Sequence, residues 1–315
     1  MRVVAGVLLW FAAIRWAAAH GSVPLRPDTL WHAWSFDPVV LVPLLLAVWL
    51  YGRGLRQLWT SAGWGRGVAL SHVVAFAFGT AALFVALVSP LDVLGEELLS
   101  AHMAQHALLV TAAPVLLLLG KPGAVLAWAL PAESRKRFLR SHPWRALAAL
   151  IGALSRPLPS AFLHGLALWG WHAPRAFDAA VASYGVHMLE HACFFGTALL
   201  FWKAILDAHS RRRAAAALGA AFATLVHGGL LGALLTTAPF PLYAWYLDRT
   251  APWGLNALED QQLAGLIMWV PMGIVYLGAC LALASRLLAS RNDKHLTVDG
   301  APQGHWTAVD QRARS

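Results

Sequence analysis

The chain has 315 residues, 59% hydrophobic and 12% charged, with a mean hydropathy of +0.58; soluble domains sit near 45 to 50% apolar and 25% charged, so a soluble globular protein is excluded. Its 24 Lys and Arg against 15 Asp and Glu give a formal charge of +9, but the charges fall in short clusters between apolar runs, a pattern of membrane topology and not of nucleic-acid binding. Cys193 and Cys280 lie inside apolar runs with no C-x-x-C pair, so no disulfide framework or thiolate metal site is expected.

In chain order, the first element is the apolar stretch Val3 to Ala19, which follows Arg2 and ends Ala17-Ala18-Ala19 before His20-Gly21. It reads as a secretory signal peptide over residues 1–19, or as an uncleaved anchor interrupted by Arg15; either way His20 is exported. Seven further runs follow, drawn at Pro38 to Leu58, Gly67 to Val88, Ser100 to Gly120, Leu158 to His172, Tyr184 to Leu206, Ala214 to Ala238 and Asp260 to Leu288. Each suits a span of about 17 to 25 residues once its amphipathic ends are included. The fourth is short and follows Arg156-Pro157-Leu158-Pro159, so its start is expected to be a kinked continuation of Ala146 to Leu154. The fold class is therefore an all-α polytopic transmembrane bundle over residues 20–290, followed by a polar, disordered tail over residues 291–315.

Alternate connections carry the basic residues: Arg53, Arg56 and Arg66, then the stretch from Lys121 to Arg156, then Lys203 with Arg211 to Arg213, then Arg286 and the tail. The opposite connections hold only Arg26, Arg175 and Arg249 among many acids. That asymmetry places the basic side and the C-terminus in the cytoplasm, with the mature N-terminus outside.

Fourteen histidines in so apolar a chain are sorted by depth, because an ionisable group inside a span is costly and is by default a functional candidate. The third span opens His102-Met103-Ala104-Gln105-His106 and the fifth His187-Met188-Leu189-Glu190-His191, one H-M-x-(Q/E)-H pattern used twice at the extracytoplasmic end. Residues i and i+4 share a helix face, so each pair can present two imidazoles to one ion. At 1.5 Å per residue, His106 and His191 lie roughly 9 Å down, His164 about 12 Å beneath His172, and His227 roughly 16 Å down. The seventh span opens Asp260-Gln261-Gln262 and carries Met268 and Met272.

Imidazole with thioether and no usable thiolate favours copper, with zinc also open. Expected ligands are His102, His106, His187 and His191, extended by His172, His227 and Met268, with Glu190 and Asp260 as acceptors that orient ligating imidazoles. His164 and Met272 are outlying candidates, and His20, if it becomes the mature N-terminus, offers a surface copper handle. Met103 and Met188 point about 100° from the neighbouring histidines and are expected to pack. Two other classes stay open: a haem b cytochrome ligated by histidines from facing helices, and an ion or metal transporter using histidines and carboxylates as relays. No nucleophile–base pair or phosphate loop points to an enzyme, so no catalytic residue is assigned.

These residues carry a resemblance. Trp34-Ser35-Phe36-Asp37-Pro38, the His102 to His106 motif, Trp171-His172-Ala173-Pro174, Glu190-His191 followed by Phe201-Trp202, Pro241-Leu242-Tyr243, and Asp260-Gln261-Gln262-Leu263-Ala264-Gly265 leading to Met268-Trp269-Val270-Pro271 together resemble the polytopic CtaG-type cytochrome c oxidase assembly factors. The resemblance covers nearly the whole mature chain. It implies an inner-membrane protein needed to make active haem-copper oxidase, helping copper reach it, with oxidase subunits, other copper chaperones and the lipid bilayer as partners.

Overall fold

A computed structural model describes residues 25–298, with side chains described for residues 25–289. The expected signal peptide or anchor, His20 and the tail beyond Val298 lie outside the described residues. The long helices are α1 (Pro38–Ala62), α2 (Leu70–Leu87), α4 (Leu99–Leu119), α10 (Tyr184–Leu206), α11 (Arg211–Thr237) and α12 (Ala257–Val298), the last running past the expected end of the seventh span. Shorter helices are α3 (Pro90–Leu94), α5 (Pro122–Trp128), α6 (Ala132–Arg140), α7 (His142–Leu154), α8 (Pro157–Trp171) and α9 (Pro174–Ala182). No strand occurs among the described residues.

Among the described residues, six helices are long and apolar enough to cross a membrane. Where the fourth span is expected, α7 and α8 form a bent pair that meets at 80°. Pro157 lacks an N–H, and the residue before a proline is pushed out of the helical region; Arg156 accordingly sits extended at φ −81°, ψ 148°. Large apolar side chains such as Leu45, Trp49, Phe78, Phe162, Phe222 and Ile274 are exposed along the helices, a surface that only lipid would cover favourably. The chain is a multi-pass membrane protein with an all-α bundle fold.

The helix ends that bear the histidine motifs gather at one end of the bundle and are tied together there. Asp37 caps α1 by accepting from the Val39 amide at 2.8 Å, and its other oxygen accepts from the Tyr184 hydroxyl at the start of α10. Asp260, in the first turn of α12, accepts from the Leu99 and Ser100 amides at the start of α4, at 2.6 and 3.1 Å. Arg53 and Arg135 sit toward the opposite end, where the Arg53 side chain donates to the Ala129 carbonyl and Arg135 stacks 3.9 Å over Trp128.

One irregularity fixes the rotation of α4. Its middle opens into a π-turn over Leu108–Ala112. Pro114 is the physical cause, because a proline cannot bond the carbonyl four residues earlier and its ring crowds it. That carbonyl belongs to Val110, and it accepts instead from Trp202 Nε1 of α10 at 2.8 Å. The helix bearing His102 and His106 is thereby locked to the helix bearing His187 and His191.

Candidate metal centre

Both H-M-x-(Q/E)-H turns face inward and toward each other. His102 and His106 lie 4.2 Å apart between ring centroids, His187 and His191 4.1 Å, and across the two helices His102 is 5.2 Å from His187 and His106 5.4 Å from His191. Ligand atoms of His102, His187, Glu190 and His191 all lie within 4.8 Å of one another. Glu190 is fully buried between the pairs, with Oε2 3.8 Å from His102 Nε2 and Oε1 3.9 Å from His106 Nε2. Those separations exceed a hydrogen bond. The result is a set of buried polar atoms without hydrogen-bond partners: both ring nitrogens of His102 and of His106, Nε2 of His187 and of His191, and both oxygens of Glu190.

His172 approaches from the end of α8. Its Nδ1 bonds the Leu168 carbonyl at 2.7 Å, and its ring lies 6.1 Å from His106. Nε2 faces the sulfur of Met103 at 3.4 Å. The Tyr243 hydroxyl donates to the His172 carbonyl and fixes its position from the connection between α11 and α12. Phe177 of α9 closes the centre from above, 5.0 Å from the His102 ring and itself inaccessible, while Phe194 packs 4.6 Å from His106.

The other candidates lie elsewhere. His227 accepts from Trp169 Nε1 at 3.4 Å and lies beside Gly165 of α8, away from the paired motifs. His164 has both nitrogens engaged, with Thr197 at 3.2 Å and Tyr276 at 3.0 Å. Met268 and Met272 are buried in the apolar core, and neither sulfur bonds an imidazole among the described residues. Asp260 binds backbone amides of α4 and not an imidazole. Glu190, expected to orient the imidazoles, offers a carboxylate oxygen within the same 4.8 Å group as His102, His187 and His191. Two contributors escape a reading by depth. Met103 is one, although its i, i+3 spacing to His106 places the two on adjoining faces of one helix; Phe177 is the other, an apolar side chain in the short helix between α8 and α10.

Fold and site together define a polytopic membrane bundle that buries a polyimidazole and carboxylate cluster at one end. The profile of the family described as cytochrome c oxidase caa3 assembly factor (Caa3_CtaG) matches residues 49–290, a segment that includes every residue of the cluster. The chain belongs to that family. It is similar to the uncharacterized proteins Mb0105 of Mycobacterium bovis and MT0111 of Mycobacterium tuberculosis, each 27% identical over 281 residues, covering 85% of this chain and 42% of the relative. ML1998 of Mycobacterium leprae is 26% identical over 290 residues, covering 87% of this chain and 43% of its own length. The chain thus spans less than half the length of these curated relatives. No solved structure matches it.

Proposed function

We propose that this assembly factor holds copper(I) in the paired-histidine cluster and supplies it to a haem-copper oxidase under construction, acting as a binding protein and not as an enzyme. The observation that carries this reading is the convergence of unpartnered buried atoms from His102, His106, His187, Glu190 and His191. A buried polar group left unsatisfied costs about 1–3 kcal/mol. Several such groups aimed at one volume are explained by a cation that uses their lone pairs at once. Imidazole and carboxylate alone suit zinc as well as copper; the thioether of Met103 beside His172 favours copper(I). Rings 4.1 to 5.4 Å apart, with Phe177 and Phe194 packed against them, suit a bare ion better than a flat macrocycle, so copper is preferred to haem b. With the basic end cytoplasmic by the positive-inside rule, the cluster lies near the extracytoplasmic face of a bacterial inner membrane, on the side where exported copper chaperones and oxidase subunits would meet it.

The test is in cells. Replacing His187 and His191 together with Ala is expected to leave the protein inserted but the oxidase inactive, and copper added to the medium is expected to restore oxidase activity in a strain lacking the gene. Full oxidase activity in the double variant overturns the reading.

A further inference from the structure

The cluster contains more donors than one ion needs, and they divide in two. His102, His187, His191 and Glu190 offer atoms within 4.8 Å of each other. Outside that group stand His106, His172 and Met103. The Leu168 carbonyl only accepts, so the 2.7 Å contact requires the proton of His172 on Nδ1. In the neutral ring Nε2 then carries a lone pair, and that lone pair faces the thioether sulfur of Met103 at 3.4 Å. Two acceptors meet with no proton between them, in side chains that are 5% and 1% exposed. His106, next to this pair, has both nitrogens buried and unpartnered.

A tetrahedral ion bonded at about 2.0 Å to nitrogen and about 2.3 Å to sulfur holds those two donors about 3.5 Å apart, the spacing seen between His172 and Met103. The bond from Nδ1 to a backbone carbonyl is also the usual way in which a ligating imidazole is oriented. We propose that Met103, His106 and His172 form a second copper(I) position beside the first, with Glu190 reaching both: its Oε2 lies toward His102 and its Oε1 toward His106. Oxidation state follows from charge. Two divalent ions would place four positive charges next to one buried carboxylate, whereas two copper(I) ions place two, and buried charge is tolerated only when compensated. This inference rests on the copper reading above.

The experiment is an anaerobic titration of the full-length protein in detergent with copper(I) against a chromophoric chelator, followed by X-ray absorption at the copper edge. Wild type is expected to take up two equivalents and to show a copper–sulfur shell. Met103→Leu keeps the core volume, and His172→Asn keeps a donor toward Leu168; each is expected to lose one equivalent and the sulfur shell. The His187→Ala, His191→Ala double variant is expected to lose the other equivalent and keep the sulfur. One equivalent in wild type with no sulfur shell, unaffected by Met103→Leu or His172→Asn, overturns the second position and leaves the first standing. No copper uptake by wild type overturns both.

Discussion

The carboxylate of Asp260 accepts from the Leu99 and Ser100 amides, two of the four N–H groups that the first turn of α4 cannot satisfy internally. A negative charge there also complements the positive end of the helix dipole. His102 lies about one turn later, so Asp260 positions the histidine cluster through the backbone of α4 and not through an imidazole N–H. Asp260→Asn is expected to destabilise the protein by about 0.5–2 kcal/mol, the range for losing a side-chain cap, and to weaken copper uptake while leaving its stoichiometry unchanged. A thermal-unfolding midpoint and a chelator competition in detergent measure both. Gln105 plays a related part: its amide donates to the Ala86 carbonyl and to Asp92 Oδ1, both at 2.7 Å, and anchors α4 to α2 and α3. The polar letters inside the two repeated motifs therefore differ in function, since Glu190 points to the imidazoles and Gln105 points away.

Packing between elements depends on close backbone approach. At Gly265 of α12 a Cβ would stand 2.6 Å from the Thr236 amide nitrogen and 2.7 Å from the Gly232 carbonyl of α11, so the two helices touch through their backbones. Small residues at such contacts are how membrane helices associate where no hydrophobic force separates them from lipid. Gly265→Ala forces α11 and α12 apart and is expected to cost about 1–3 kcal/mol, read as a lowered unfolding midpoint, with the cap on α4 loosened as α12 shifts. Much of this scale is legible in the sequence. Hydropathy locates the spans, the two prolines after Arg156 locate the break in the fourth, and the i, i+4 histidines locate the inward face of α4 and α10. Depth, however, carries no azimuth. His172 and His227 both lie on the histidine half of the bundle, yet rotation of α8 and α11 brings one beside His106 and turns the other to Trp169. The contacts of Asp260 and Tyr243 join residues far apart in the chain, and no local pattern encodes such pairings.

Across the molecule, the connection between α11 and α12 clamps the turn that joins α3 to α4. Trp245 Nε1 donates to the Glu96 carbonyl at 2.8 Å, the Tyr246 hydroxyl to the Gly95 carbonyl at 2.7 Å, and Arg249 reaches Glu97 at 3.4 Å while stacking on Trp245. Burial, reinforced by Asp92 and Glu97 and opposed by Arg249, pushes the Glu96 carboxyl from the ordinary 4.5 up to about 7. Between those values the folded chain holds a proton that the unfolded chain has released, so stability falls as pH rises through this window. Glu96→Gln is expected to flatten that slope and to unfold later than wild type at pH near 8, and melting curves recorded on both sides of the window check the sign.

The aromatic roof has its own consequence. Phe177 is inaccessible beside His102, and Tyr243 packs against it in a tilted arrangement at 4.2 Å, so the His102 side of the cluster is shielded by aromatic rings. An ion held there, as proposed, would have to pass Phe177 on the His102 side.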